Sequence, residues 1–179
     1  MRLLLGFGNK ARQGKDSAAR AIEDFNFGAP YYEIRIFKFA EALYDLCYKE
    51  YGMIEKDAPL LQRVGQEKRQ QNPNYWIERL DFRTKIFKGI GIITDVRYQN
   101  EAEWIKSQGG FLINVTRLNE DGSQFITSDR PANHPSEIDL DNWRWDAFIK
   151  TYSGQEVLAG EQAITIANYF YQLTEPQNV

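Results

Sequence analysis

The opening of the chain constrains its fold more than any other segment. An apolar run, Leu3-Leu4-Leu5, passes through Gly6-Phe7-Gly8 into the loop Asn9-Lys10-Ala11-Arg12-Gln13-Gly14, and Lys15-Asp16-Ser17 follows at once. Ala18, Ala19, Ala21, Ile22 and Phe25 then recur at helical spacing, which predicts a helix from Lys15 to Asn26. A buried strand over Arg2–Phe7, a glycine-containing turn and a helix in immediate succession open an α/β layered structure. They also build an anion site, because the N–H groups and the dipole at a helix N-terminus both favour negative charge. Lys10, Arg12 and Lys15 crowd an end of the helix that ordinarily prefers acids. Cations there make sense if an anion sits among them.

The loop approaches the phosphate-binding pattern G-x-x-x-x-G-K-[ST] without matching it. Asn9 stands where the first glycine belongs, and Asp16 stands at the hydroxyl position with Ser17 one residue later. In this reading backbone N–H groups between Gly8 and Gly14 cradle a polyphosphate and Lys15 reaches its outer phosphates. Asp16 or Ser17 holds Mg²⁺, directly or through water.

Further along, the aromatic and β-branched stretch Tyr31–Phe37 predicts a second strand. Phe39, Leu43, Leu46 and Cys47 form a helical stripe that ends near Gly52. Pro59 opens another helix with Leu60, Leu61 and Val64 on one face, and Asn74 starts a further one carrying Trp76, Ile77, Leu80 and Ile86. The continuous apolar run Gly89–Thr94, ending in Asp95, reads as a central strand of a parallel sheet. A short helix over Glu101–Gln108 is terminated by Gly109-Gly110, and Phe111–Thr116 is the next strand. Residues Leu118–Trp145 are polar and irregular, and a long excursion of this kind is usually functional or mobile. Ala147–Tyr152 is a last strand, Ser153-Gly154 a turn, Gln155–Leu173 a last helix, and Thr174–Val179 a frayed tail.

Composition narrows the function classes. With 42% hydrophobic and 26% charged residues, most of the chain is not intrinsically disordered. The 22 Lys+Arg against 25 Asp+Glu, a net charge of −3, argue against a basic nucleic-acid-binding surface but leave room for a local basic pocket. No apolar run approaches the ~20 residues of a membrane span. The single cysteine, Cys47, and single histidine, His134, exclude an internal disulfide and a Cys/His zinc site. No targeting segment is apparent, which points to an intracellular protein.

Several motifs recur in a familiar order. After the loop come Phe39-Ala40-Glu41-Ala42-Leu43, Leu61-Gln62-Arg63-Val64-Gly65, Tyr75-Trp76-Ile77, Asp95-Val96-Arg97-Tyr98-Gln99-Asn100-Glu101 and His134-Pro135-Ser136-Glu137. Over about residues 3–173 the chain resembles the phage-type deoxynucleoside monophosphate kinases. Their pattern is a G-x-K-x-x-G-K-D-[ST] loop, a strand ending in D-V-R-x-x-N-E, and a downstream H-x-S-E. The loop here holds one residue more between Lys10 and Gly14 than that pattern.

The resemblance implies a three-layer α/β/α P-loop NTPase fold with a mostly parallel sheet and a lid insertion. Residues 1–179 would form a single kinase domain, with a helical acceptor-nucleotide region at 38–88 and a lid at 118–145. The implied activity is ATP- and Mg²⁺-dependent phosphorylation of (deoxy)nucleoside monophosphates to diphosphates. The implied setting is the cytoplasm (the host's, if phage-encoded), with nucleotides as partners and neither nucleic-acid polymer nor membrane. The layout also allows a homodimer through surface helices.

The candidate catalytic residues are Lys15, Arg97, Arg117 and Arg130. ATP would be held by Gly8, Lys10, Arg12, Gly14, Lys15, Asp16, Ser17, Ser153 and Gly154, and the metal by Asp16, Ser17 and Asp95. The acceptor would meet Arg35, Arg63, Gln66, Asp95, Arg97, Glu101, His134 and Glu137. Each residue also has a structural reading. Asp95 also reads as a helix cap or turn residue, Arg35 as the partner of a protein carboxylate, and His134 as a hydrogen-bonded structural residue. The residues leave open two other functions: a P-loop kinase for another small phosphorylated acceptor, of the phosphomevalonate or dephospho-coenzyme A type, and a non-catalytic nucleotide-binding protein.

Overall fold

The computed structural model describes residues 3–25, 33–128 and 131–174. In chain order the elements are β1 (Leu3–Gly8), α1 (Lys15–Asp24), β2 (Glu33–Phe37), α2 (Phe39–Glu50), α3 (Ala58–Gln71), α4 (Tyr75–Lys85) and β3 (Gly89–Val96). They continue with α5 (Gln99–Ser107), β4 (Phe111–Leu118), α6 (Pro135–Ile138), β5 (Ala147–Tyr152) and α7 (Glu156–Thr174). The expected residues Arg2, Asn26 and Tyr31, and the tail from 175 to 179, lie outside the described residues.

The strands pair in the order β2-β3-β1-β4-β5, and every pair is parallel. Period-2 alternation sends Leu3, Leu5 and Phe7 to one face of the sheet. There they meet Ala18, Ala19 and Ile22 of α1 and Ala159, Ala163, Ala167 and Phe170 of α7. Leu4 points to the other face, into a cluster with Phe39 of α2, Trp76, Ile77 and Leu80 of α4, and Ala102 and Ile105 of α5. The small residues on α1 and α7 let these two helices pack closely. A Cβ at Gly160 would stand 2.8 Å from Ala21 Cβ.

Local signals set most boundaries as expected. Asp57 caps α3 by accepting from Leu60 N at 2.9 Å, with Pro59 in the first turn. Gly109, at φ 74°, closes α5, and Gly110 N donates to Ile105 O at 3.0 Å. Two points differ. Ile86, expected on the apolar face of α4, follows the end of that helix and is exposed. The excursion after β4 contains one helical turn, α6, because His134 caps a Pro-Ser-Glu start. Its later part is not free of the core either. Leu140 is buried, and Trp143 and Trp145 pack against the same cluster as α4 and α5.

This topology fixes where a ligand site falls. The chain leaves β1 toward β2 on one side and leaves β4 toward β5 on the other. At such a switch point the loops part and open a crevice at the C-terminal edge of the sheet. The loop between β1 and α1 lies there. No helix among the described residues is long and apolar enough to cross a membrane.

Candidate functional site

The loop from Asn9 to Gly14 is held in an unusual backbone conformation. Asn9 and Arg12 have φ of 106° and 56°, and Gly14 has φ of 91°. Positive φ is unfavourable for residues other than glycine and persists only where surroundings enforce it. Asn9 is enforced by β4. Its Nδ2 donates to Asn114 Oδ1 and Val115 O at 3.1 Å and to Thr116 Oγ1 at 2.9 Å. The asparagine that breaks the sequence pattern thus has a reason: its side chain ties the loop to the neighbouring strand. Gly8, just before it, serves packing, since a Cβ there would stand 2.7 Å from Trp145 Cζ3. Gly14 caps α1 in the left-handed region with open space where a Cβ would be.

Beside this loop lies a cavity of about 400 Å³. Arg12, Lys15, Lys38, Arg97 and Arg117 bring five cationic side chains to its lining, against the three carboxylates of Asp16, Asp95 and Glu156. The whole chain is acidic, so this excess of positive charge is local. Lys15 is only 6% exposed. Its Nζ donates to Asn9 O at 3.2 Å and to Lys10 O. Burial, and then the Arg97 guanidinium nearby, lower its pKa to about 7. A multiply charged anion in the cavity would reverse that loss of charge.

Asp16, in the first turn of α1, accepts from Thr94 Oγ1 at 2.7 Å and pairs with Lys38 Nζ at 2.7 Å. Partial burial acts to raise its pKa, but the Lys38 and Thr94 hydrogen bonds outweigh this and hold it below the usual value. Ser17 follows it on the cavity wall. Asp95 also lines the cavity, while its two oxygens accept from Phe39 N and Ala40 N, both at 2.9 Å. It therefore caps α2, and burial raises its pKa against these two bonds.

The H-P-S-E segment forms a clamp on the loop. His134 Nδ1 accepts from Ser136 N at 3.2 Å and caps α6. Glu137 is 7% exposed; it accepts from Ala11 N at 2.8 Å and from Arg97 Nη1 at 2.9 Å. Lys10 Nζ donates to Glu137 O at 2.6 Å and pairs with Asp141 at 2.7 Å. Lys10 and Glu137 thus join the loop to α6, and Arg97, which lines the cavity, is oriented by the same carboxylate.

The remaining candidates divide. Arg12 and Arg117 line the cavity. Ser153 N donates to Leu118 O at 2.9 Å, and Gly154 (φ 87°) follows it, next to the lining residues Tyr152 and Glu156. Glu101 is 2% exposed at the start of α5, where it accepts from Arg97 N at 2.8 Å, Tyr98 N at 3.2 Å and Arg69 Nη2 at 3.2 Å. Burial, against the attraction of Arg69, pushes its pKa up to about 7. Arg35 is exposed, paired with Glu33 on its own strand and stacked over Phe87. Arg63 is exposed and pairs with Glu67 at 3.2 Å, and Gln66 is exposed on the same helix. Neither these three nor Glu101, His134 and Glu137 line the cavity. Arg130 lies outside the described residues.

The sequence reading missed Gln13, Lys38, Thr94 and Phe125. Gln13 is 2% exposed and bridges three segments. Thr94 lies in β3, two residues before its end, and Lys38 follows β2; a polar residue interrupting or following an apolar strand was the available signal. Phe125 gave no such signal. Among the described residues no cluster of three or more His, Cys, Asp or Glu side chains is placed to hold a metal on protein ligands alone.

No family model matches the chain. A stretch of 49 residues, 27% of the chain, is 47% identical to the "Putative deoxynucleotide monophosphate kinase" of Acanthamoeba polyphaga mimivirus. The stretch spans 21% of that relative's length. The architecture, a five-stranded all-parallel sheet between helical layers, is consistent with a P-loop nucleoside monophosphate kinase-like fold.

Proposed function

We propose that this chain is an ATP-dependent kinase of (deoxy)nucleoside monophosphates. The observation that carries the reading is the cationic cavity at the N-terminus of α1, with Lys15 buried in it beside a loop held at three positive-φ positions. The partial likeness to a kinase of that description supports it. In the reaction the bond from the γ-phosphorus of ATP to its bridging oxygen breaks. A bond from an acceptor phosphate oxygen to that phosphorus forms, leaving ADP and a nucleoside diphosphate.

Such a transfer needs placement and charge neutralisation more than a covalent catalyst. Lys15 and the N–H groups of the loop and of α1 bind the phosphates of ATP. Arg117 faces the group in transfer, a role the resemblance also gives Arg130, and Arg97, fixed by Glu137, takes the acceptor phosphate. Magnesium fits the oxygen donors Asp16 and Ser17, since it is usually held by one or two carboxylates together with substrate phosphates, and when bound it would neutralise polyphosphate charge. Asp95 shapes the acceptor side by fixing the start of α2. The lid role that the resemblance gives residues 118–145 does not extend to their later part, because the chain from His134 onward is fastened to the loop and the core.

The test is ADP release from ATP and Mg²⁺ with dAMP, dCMP, dGMP, dTMP and the ribose counterparts, alongside Lys15→Ala. Acceptor-dependent release that falls at least ~100-fold in the variant is expected. Folded wild-type protein that releases no ADP with any nucleotide would refute the reading.

A further inference from the structure

Arg117 is placed by two residues that neither its motif nor its strand supplies. Its backbone, at the end of β4, belongs to a closed ring of three hydrogen bonds. Arg117 N donates to Gln13 Oε1 at 2.8 Å, Phe125 N donates to Arg117 O at 2.8 Å, and Gln13 Nε2 donates to Phe125 O at 2.8 Å. The ring joins the loop, the end of β4 and the return of the chain after its turn. It holds Phe125 at a fixed offset from Arg117. The phenyl ring then lies against the guanidinium, with Cζ 3.5 Å from the ring centroid.

That stack has a chemical consequence. Arg117 Nε is buried and has no hydrogen-bond partner among the described residues. A π-face attracts a cation without accepting its N–H groups in the manner of a carboxylate. The guanidinium is therefore kept in place, and no carboxylate among the described residues pairs with it. Both Arg117 and Phe125 line the cavity.

We propose that Phe125 is a positioning residue that presents Arg117 to the polyphosphate, and that Gln13 locks the pair to the phosphate loop. The proposal rests on the phosphoryl-transfer reading of the cavity. A salt-bridged arginine would have to give up its partner before meeting a phosphate, whereas one stacked on an aromatic ring does not.

The test is calorimetry with ATP and Mg²⁺, and with tripolyphosphate, on wild type, Phe125→Leu, Phe125→Trp, Arg117→Met and the Phe125→Leu/Arg117→Met double variant. Thermal melts accompany each. Loss of the ring should weaken binding about 5- to 30-fold in Phe125→Leu, and Phe125→Trp should restore it to within about threefold of wild type. On the Arg117→Met background the leucine change should alter binding by less than about twofold. Wild-type affinity in Phe125→Leu, or an equal loss with and without Arg117, would overturn the proposal and leave the kinase reading intact. Absence of polyphosphate binding by wild type would overturn the kinase reading, and this inference with it.

Discussion

Replacing Glu137 by glutamine removes one charge and changes almost no volume. The carboxylate accepts from Ala11 N at 2.8 Å and from Arg97 Nη1 at 2.9 Å, and the two side chains of the ion pair are 5% and 18% exposed. Ser136 Oγ also donates to the carboxylate at 3.3 Å, and glutamine offers one acceptor oxygen in place of two, so its NH₂ must face Ala11 N or Arg97. A hydrogen bond to a charged group is worth about 1.5–3 kcal/mol. Breaking a fully buried ion pair costs about 3–5 kcal/mol. Arg97 keeps some access to solvent, so the loss should fall near 3 kcal/mol, within about 2–4. For a chain of this length that lowers Tm by roughly 5–15 °C. Thermal and urea unfolding followed by circular dichroism measure it, with an unchanged m-value showing that the folded state stays compact. Asp141→Asn is the internal control: its pair with Lys10 is half exposed, and its loss should cost under ~1 kcal/mol. A Glu137→Gln loss below ~0.5 kcal/mol, or one no larger than that of Asp141→Asn, would refute the clamp.

Two further outcomes follow from the site. Folded Lys15 releases its proton near pH 7 and unfolded Lys15 near 10.5, so between those values the unfolded chain binds more protons and this group makes stability rise with pH. Polyphosphate binding restores the charge, so affinity should fall by up to about tenfold per pH unit above 7 and lose that slope in Lys15→Met; calorimetry across pH 6–9 measures it. Gly8→Ala should destabilise by about 1–3 kcal/mol through the clash with Trp145, and Trp145→Leu should recover part of it; a neutral Gly8→Ala in urea unfolding would contradict that packing.

The parts of the fold legible in the sequence are those whose cause is local. The Leu3–Phe7 run, the stripe from Ala18 to Ile22 and the glycines at 109 and 110 each carry their own period or their own backbone freedom. Among the described residues, eleven of the twelve elements lie close to where spacing, caps and breakers put them; the other, α6, is too short to show a period. The candidate site was legible as a set of residue types, and less so as a set of roles. Arg35 shows why: a charge in an apolar strand needs a partner, and Glu33, two residues away on the same face, was a sufficient one. Asp95 ended the right strand at the right edge, yet its oxygens serve the amides of a helix that begins more than fifty residues earlier.

By itself the sequence determined an α/β chain whose first strand, loop and helix bring cations to a helix N-terminus, because propensity, periodicity and helix polarity act over a few residues. Tertiary structure decided the order β2-β3-β1-β4-β5, which brings Asn9 to Asn114 and Gln13 to Phe125. It also decided that Glu137 would hold Ala11 across 126 residues of chain. Local periodicity carries no record of a partner at that distance. The pairing is chosen when burial leaves a carboxylate and an amide facing each other with no water between them.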